Sequence, residues 1–166
     1  GIFVSARPFL SPWSTGPVWS APYNLAPAAY RQGGGRIGIA ANGDITACWR
    51  SNTDIRVADK AAGGFWSATR TVYSSRSVSD YPTLAVTPSG DAMVAWITSV
   101  SVGGSYNYQI NTTVRPVGGD WSAPALLTSD QEYDRELQAG TSNGGACVLT
   151  WLDVNSSSIK SSTWKV

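Results

Sequence analysis

Tyrosine stands beside arginine or a carboxylate in one polar stretch of this chain after another: Tyr30-Arg31, Asp80-Tyr81 and Tyr133-Asp134-Arg135-Glu136, with Tyr106 and Tyr108 in the longer stretch between Ile97 and Gln109. A tyrosine ring offers a flat apolar surface with a hydroxyl at its tip, and a neighbouring guanidinium or carboxylate adds directed hydrogen bonds. That pairing suits contact with a sugar or a protein. Arg50-Ser51-Asn52 and Asp153-Val154-Asn155 are polar stretches of the same kind. Glycoside hydrolysis needs two carboxylates at a set separation, or a tyrosine nucleophile with an acid. Tyr, Asp, Glu and nine Arg are present, but their positions carry no catalytic motif. The expectation is therefore a non-catalytic binding site made from Tyr30, Arg31, Asp80, Tyr81, Tyr106, Tyr108, Tyr133, Asp134 and Arg135. A glycoside hydrolase using a carboxylate such as Asp80 or Glu136 is the alternative, and a structural component of a virion or cell surface is a third reading.

Other chemistry is excluded by what the chain lacks. There is no histidine, and Cys48 and Cys147 lie 99 positions apart without a CxxC pair, so neither a zinc site nor a histidine-based triad can be built. No metal and no cofactor are expected. A formal charge of +1 with 14% charged residues provides no electrostatic footprint for nucleic acid, and a 42% hydrophobic content excludes a disordered chain. No apolar run approaches the roughly 20 residues of a membrane-spanning helix. The sequence opens on Gly1 rather than Met, as expected if the start was processed, trimmed or not included, and the expected location is extracellular or surface-associated.

The residues that do not repeat stand out because most of the chain does. Trp19-Ser20-Ala21-Pro22, Trp66-Ser67-Ala68-Thr69 and Trp121-Ser122-Ala123-Pro124 are three copies of one motif, and Trp49, Trp96 and Trp151 are three copies of another. Each Trp of the first kind is followed 30 positions later by one of the second. The return distance varies, 17 positions from Trp49 to Trp66 and 25 from Trp96 to Trp121. An invariant unit with variation confined to one connection predicts a repeated scaffold whose longer loop runs from Ile97 to Gln109.

Within each unit, two-residue turns at Asn42-Gly43, Ser89-Gly90 and Gly144-Gly145 separate two apolar strands, the second of which ends in Trp. Such turns need positive φ and mark hairpins. A third strand holds Ile55 or Ile110, each eleven residues before its Trp-Ser-Ala motif, and a Gly-Gly turn leads into a fourth strand expected to start at that motif. Each repeat of roughly 50 residues is thus a four-stranded antiparallel meander, the form of a propeller blade. The fold class is all-β, with no helix longer than a turn or two. Repetition makes Trp19, Trp66 and Trp121 packing residues. Trp49, Trp96 and Trp151 are core residues or, alternatively, a sugar-stacking platform. Cys48 lies one residue before its Trp and Cys147 four before, so they point to opposite faces. Two buried thiols are expected, with a bridge between copies as the alternative.

The pattern of apolar strand, small-residue-Gly turn, strand closing in Trp, polar loop, extended strand and Gly-Gly-x-Trp-Ser-Ala-Pro resembles the sialidase-like β-propeller repeats of secreted or surface bacterial proteins. The sialidase Asp-box, Ser-x-Asp-x-Gly-x-x-Trp, is matched in part by Ser89-x-Asp91 with Trp96 and by Asn42-x-Asp44 with Trp49. Met93 or Thr46 stands at the Gly place, and Ala146 replaces the Asp in the third copy. The resemblance implies a repeat rather than an activity; lectin-like glycan binding through the variable loops of one propeller face is the function expected from the stretches that do not repeat.

Residues 1–166 then form a single domain with repeats at about 30–75, 80–130 and 135–166, the last completed by strands from 1–28 of this chain or a partner. The expected strand total is thirteen. Three blades cannot close a ring that typically needs 4–8, so the expected partner is a second copy, a homodimer of six blades. Both ends offer a third strand for the same composite blade, Ile2–Pro8 and Ile159–Trp164, and one of them must give way.

Overall fold

The computed structural model describes residues 1–5, 20–26, 31–78, 80–128 and 134–165. Strands account for 62% of the described residues, and no helix occurs among them. Thirteen strands are found among the described residues. β1 (Ile2–Val4) and β2 (Tyr23–Ala26) form a two-stranded sheet. β3 (Gln32–Ile39), β4 (Ile45–Ser51), β5 (Asp54–Lys60) and β6 (Arg70–Ser74) form the first four-stranded sheet. β7 (Thr83–Val86), β8 (Ala92–Val102), β9 (Ser105–Arg115) and β10 (Ala125–Leu126) form the second, and β11 (Asp134–Thr141), β12 (Ala146–Asp153) and β13 (Ser158–Lys165) form a three-stranded third. Every pairing is antiparallel between strands consecutive in the chain. The hairpin glycines Gly43, Gly90 and Gly145 take φ of 88°, 102° and 80°, as their turns require.

Two expectations are corrected. Ile97 to Gln109 is not a loop: β8 and β9 continue through it in register to the pair Val102 and Ser105. The β-branched and aromatic residues of this stretch favour strand, and Gly103-Gly104, both at positive φ, close the hairpin. Tyr106 and Tyr108 therefore lie on a strand. The fourth strands also begin later than the Trp-Ser-Ala motif, at Arg70 and Ala125. The motif's serine explains why. Ser67 and Ser122 donate their backbone N–H to Asp59 and Val114 carbonyls and accept those residues' N–H on the side-chain hydroxyl, at 3.0 and 3.2 Å. The hydroxyl takes the place of a backbone carbonyl, so the chain is clasped before the ladder starts.

The sheets stack face to face. Leu25 and Ala26 of the two-stranded sheet pack on Ala47, Trp49 and Ala58 of the first sheet. Cys48, Ile55 and Val57 on its other face meet Val94, Trp96 and Trp121 of the second-sheet segment. Met93, Ala95, Ile97 and Ile110 then meet Cys147, Leu149 and Trp151 of the third sheet. Trp49, Trp96 and Trp151 are all buried, which makes them core and removes them as a stacking platform for sugar. Cys48 and Cys147 do face opposite ways, each into an internal junction, and burial pushes their thiols up to about 12 and about 11. Burial in an internal junction disfavours the thiolate that reacts. Arg115 spans one junction, its Nη1 2.9 Å from Asp59 and its Nη2 donating to Thr46 Oγ1 at 3.0 Å.

The two partial Asp-boxes have a structural duty. Asp44 Oδ1 accepts the N–H of Ala62 at 2.8 Å, and Asp91 Oδ1 accepts the N–H of Val117 at 2.8 Å. Each carboxylate thereby ties the turn between the first two strands of its sheet to the Gly-Gly turn between the last two. The Ala62 bond and a side-chain bond from Asn42 hold Asp44 below the usual 3.8. Burial pushes Asp91 up, but bonds from Ser89, Val117 and Thr87 outweigh it and leave it lowered. Asp153 falls to about 2 through Ser156 and Lys160. In the unfolded chain these groups take up protons near 3.8, so their stabilisation is complete above that value and disappears as pH falls through the lowered ones. Melting temperature is expected to hold steady from pH 7 to 5 and to fall between about pH 4 and 2, with a smaller fall for Asp91→Asn. Circular dichroism melts across that range test this.

Candidate ligand-binding face

Polar connections and the ends of adjacent strands place six of the predicted residues around two cavities. The first, about 370 Å³, is lined by Arg31, Gln32, Gly33, Arg50, Asn52 and Tyr81. The tight β4–β5 turn puts Asn52 at φ 57°. From there its N–H donates to the Arg31 carbonyl at 2.7 Å, and its own carbonyl accepts Arg50 Nε at 2.8 Å. Gln32 donates to Ser51 Oγ at 3.0 Å, while its Oε1 is buried without a hydrogen-bond partner. Tyr81 lies directly over Gly33 and Gly34. A Cβ at Gly34 would come within 2.3 Å of the Tyr81 Cβ, and one at Gly33 within 2.6 Å of its ring. Glycine is what lets the ring settle against β3.

The second cavity, about 470 Å³, is lined by Asp80, Ile97, Tyr108, Asp134, Arg135 and Glu136. Arg135 places its guanidinium 5.7 Å from the centre of the Tyr108 ring, a cation–π distance. A bulge in β11 holds Glu136 at φ 55°, and Asp134 is fully buried. Asp80 lines this cavity, and the next residue, Tyr81, lines the first. Asp80 also accepts the N–H of Tyr81 at 2.7 Å.

Arg31, Tyr81, Asp80, Tyr108, Asp134 and Arg135 thus line the cavities as a set. Tyr106 lines neither and stands exposed further along β9. Tyr30 and Tyr133 lie outside the described residues. Among the described residues, no three His, Cys, Asp or Glu side chains gather closely enough to hold a metal ion, and no helix is long and apolar enough to cross a membrane.

The chain matches no protein-family model and no curated protein. Its chemistry must be read from the cavities. The first offers two guanidiniums, amides and a phenol with no carboxylate. The second offers three carboxylates, one guanidinium and a tyrosine face. Together they provide donors, acceptors and two aromatic surfaces for a hydroxyl-rich ligand. Sequence reasoning passed over Gln32 and Gly33. The signal was the run Gly33-Gly34-Gly35 directly after Arg31, since glycines in a strand mark close approach by another group.

Proposed function

We propose that the sheets are blades of a sialidase-like β-propeller, completed to six by a second copy, and that the face bearing the two cavities binds a glycan without cleaving it. The protein would act outside the cell or on its surface, where such ligands are presented. One observation carries the binding reading: six of the seven described residues nominated from the sequence line two cavities, to which the consecutive residues Asp80 and Tyr81 contribute one each. Side chains that merely covered sheet edges would have no reason to converge so.

The test is a glycan array followed by titration of the best ligand. Arg31→Ala and Arg135→Ala are each expected to weaken binding by about 1–3 kcal/mol, as for an anchoring side chain, with the melting temperature held within a degree or two. Unchanged binding in both variants would remove this face as the site. Cleavage of a fluorogenic glycoside, abolished by Asp80→Asn or Glu136→Gln, would replace the binding reading with a hydrolase.

A further inference from the structure

The outer face of the first sheet, which β1 and β2 cover only in part, and the outer face of the third sheet carry the residue pattern of the internal junctions. Where the first and second sheets meet, Val86 of β7 lies so close over Gly38 of β3 that a Cβ there would fall 2.3 Å from its Cγ2. Counting from the hairpin turns at Gly43, Gly90 and Gly145, Ile39 is the first sheet's equivalent of Val86, and Gly140 is the third sheet's equivalent of Gly38. Ile39 is 61% exposed, and a Cβ at Gly140 would meet nothing within 4 Å. The same holds for the third strands. Ladder registers opposite Trp49, Trp96 and Trp151 make Ile159 the equivalent of Ile55 and Ile110. Those two are fully buried, whereas Ile159 is 71% exposed. One end of the stack presents the knob, and the other presents the hole.

The strand inventory is complementary in the same way. The third sheet has no fourth strand among the described residues, so β13 is its edge. β2 follows the Trp19-Ser20-Ala21-Pro22 motif as fourth strands do, yet among the described residues it pairs only with the three-residue β1. Ile2 of β1 lies 17 positions before Trp19, where Ile55 and Ile110 lie 11 before their Trp, so β1 is off the repeat. Ala146 points the same way. It stands where Asp44 and Asp91 clamp the turn between third and fourth strands, and a fourth strand arriving from another chain brings no such turn to clamp.

We infer that two copies dock the outer face of the third sheet of one on the outer face of the first sheet of the other, with Ile39 seated on Gly140, and that β13 of the partner replaces β1 as the neighbour of β2. This rests on the reading of the sheets as propeller blades completed by a second copy. β13 pairs with β12 along all eight of its residues, so the short β1 is the strand that yields. A two-fold axis makes both junctions at once. The three strands of a third sheet, about 4.8 Å apart and eight residues long at about 3.3 Å each, present about 380 Å². Two junctions, counted on both sides, hide about 1,500 Å², beyond the roughly 1,000 Å² of a stable interface.

Light scattering of the full chain on a sizing column, with hydrogen exchange at the same concentrations, tests this. The expected mass is twice 17.5 kDa. Gly140→Val, whose Cβ would meet nothing within 4 Å in the single chain, and Ile39→Asp should each weaken the dimer at least 100-fold while leaving the melt of the monomer unchanged. The outward amides of residues 158–165 should exchange slowly in the dimer and quickly in monomeric Gly140→Val. A monomer at every concentration overturns both the second-copy reading and this junction. A dimer indifferent to both substitutions overturns this junction alone and leaves self-association standing. A sensitive dimer whose β13 edge exchanges as fast as the monomer's overturns the strand replacement.

Discussion

Trp96→Ala is expected to cost about 3–5 kcal/mol, the range for emptying a large aromatic site in a core, and so to bring a chain of ordinary stability close to unfolding at room temperature. Trp96 is fully buried in the cluster between the first and second sheets, with the Tyr73 ring centred 4.9 Å away. Its truncation would open a void under both sheets at once. The indole N–H is buried without a hydrogen-bond partner, so the side chain contributes through volume and contact alone. Trp96→Phe is therefore expected to retain most of the stability, at a cost of about 1 kcal/mol. Urea denaturation followed by circular dichroism separates the two. Equal losses from Ala and Phe would mean that the N–H is bonded after all.

Gly38→Val is the second large effect. The new Cβ would lie 2.3 Å from Val86 Cγ2 and 2.8 Å from Val86 Cβ. Those are β-branched atoms on a short strand between two sheets and cannot swing aside. The junction must open, and a loss of about 3 kcal/mol or more is expected, at the upper end for an overpacked core. Gly38→Ala should cost less and should be partly restored by Val86→Ala, because the two positions are in contact and their effects cannot be additive. A thermal-melt cycle of the four proteins measures that coupling, and its absence would show that the sheets do not meet at this point.

Much of this architecture was legible because packing repeats. The 30-residue interval between the two kinds of Trp fixes the strand that each one closes, and the positive-φ turns at Gly43, Gly90 and Gly145 lie where the dipeptides placed them. The stretch from Ile97 to Gln109 reads as a loop because the return interval between the two kinds of Trp lengthens there from 17 to 25 positions, whereas the extra residues lengthen β8 and β9 to eleven each. The role of Ser67 and Ser122 was hidden because a side chain there does a backbone's work. The cavity residues could be nominated by their departure from the repeat. Arg115 could not: its partners Asp59 and Thr46 belong to another sheet, and only the stacking order brings them together.

The pairing of each strand with its sequence neighbour also sets the order in which the molecule can assemble. No ladder must wait for a distant segment, so each sheet can zip from its own turns while the sheets are still apart, and loop closure costs little at every step. The β8–β9 hairpin is the natural starting point, with eleven residues on each side and the Gly103-Gly104 turn between them. During synthesis the first four-stranded sheet is complete once Ser74 has left the ribosome. Docking of one finished sheet on the next is then the slow event, and it is the step at which a neighbouring copy can compete.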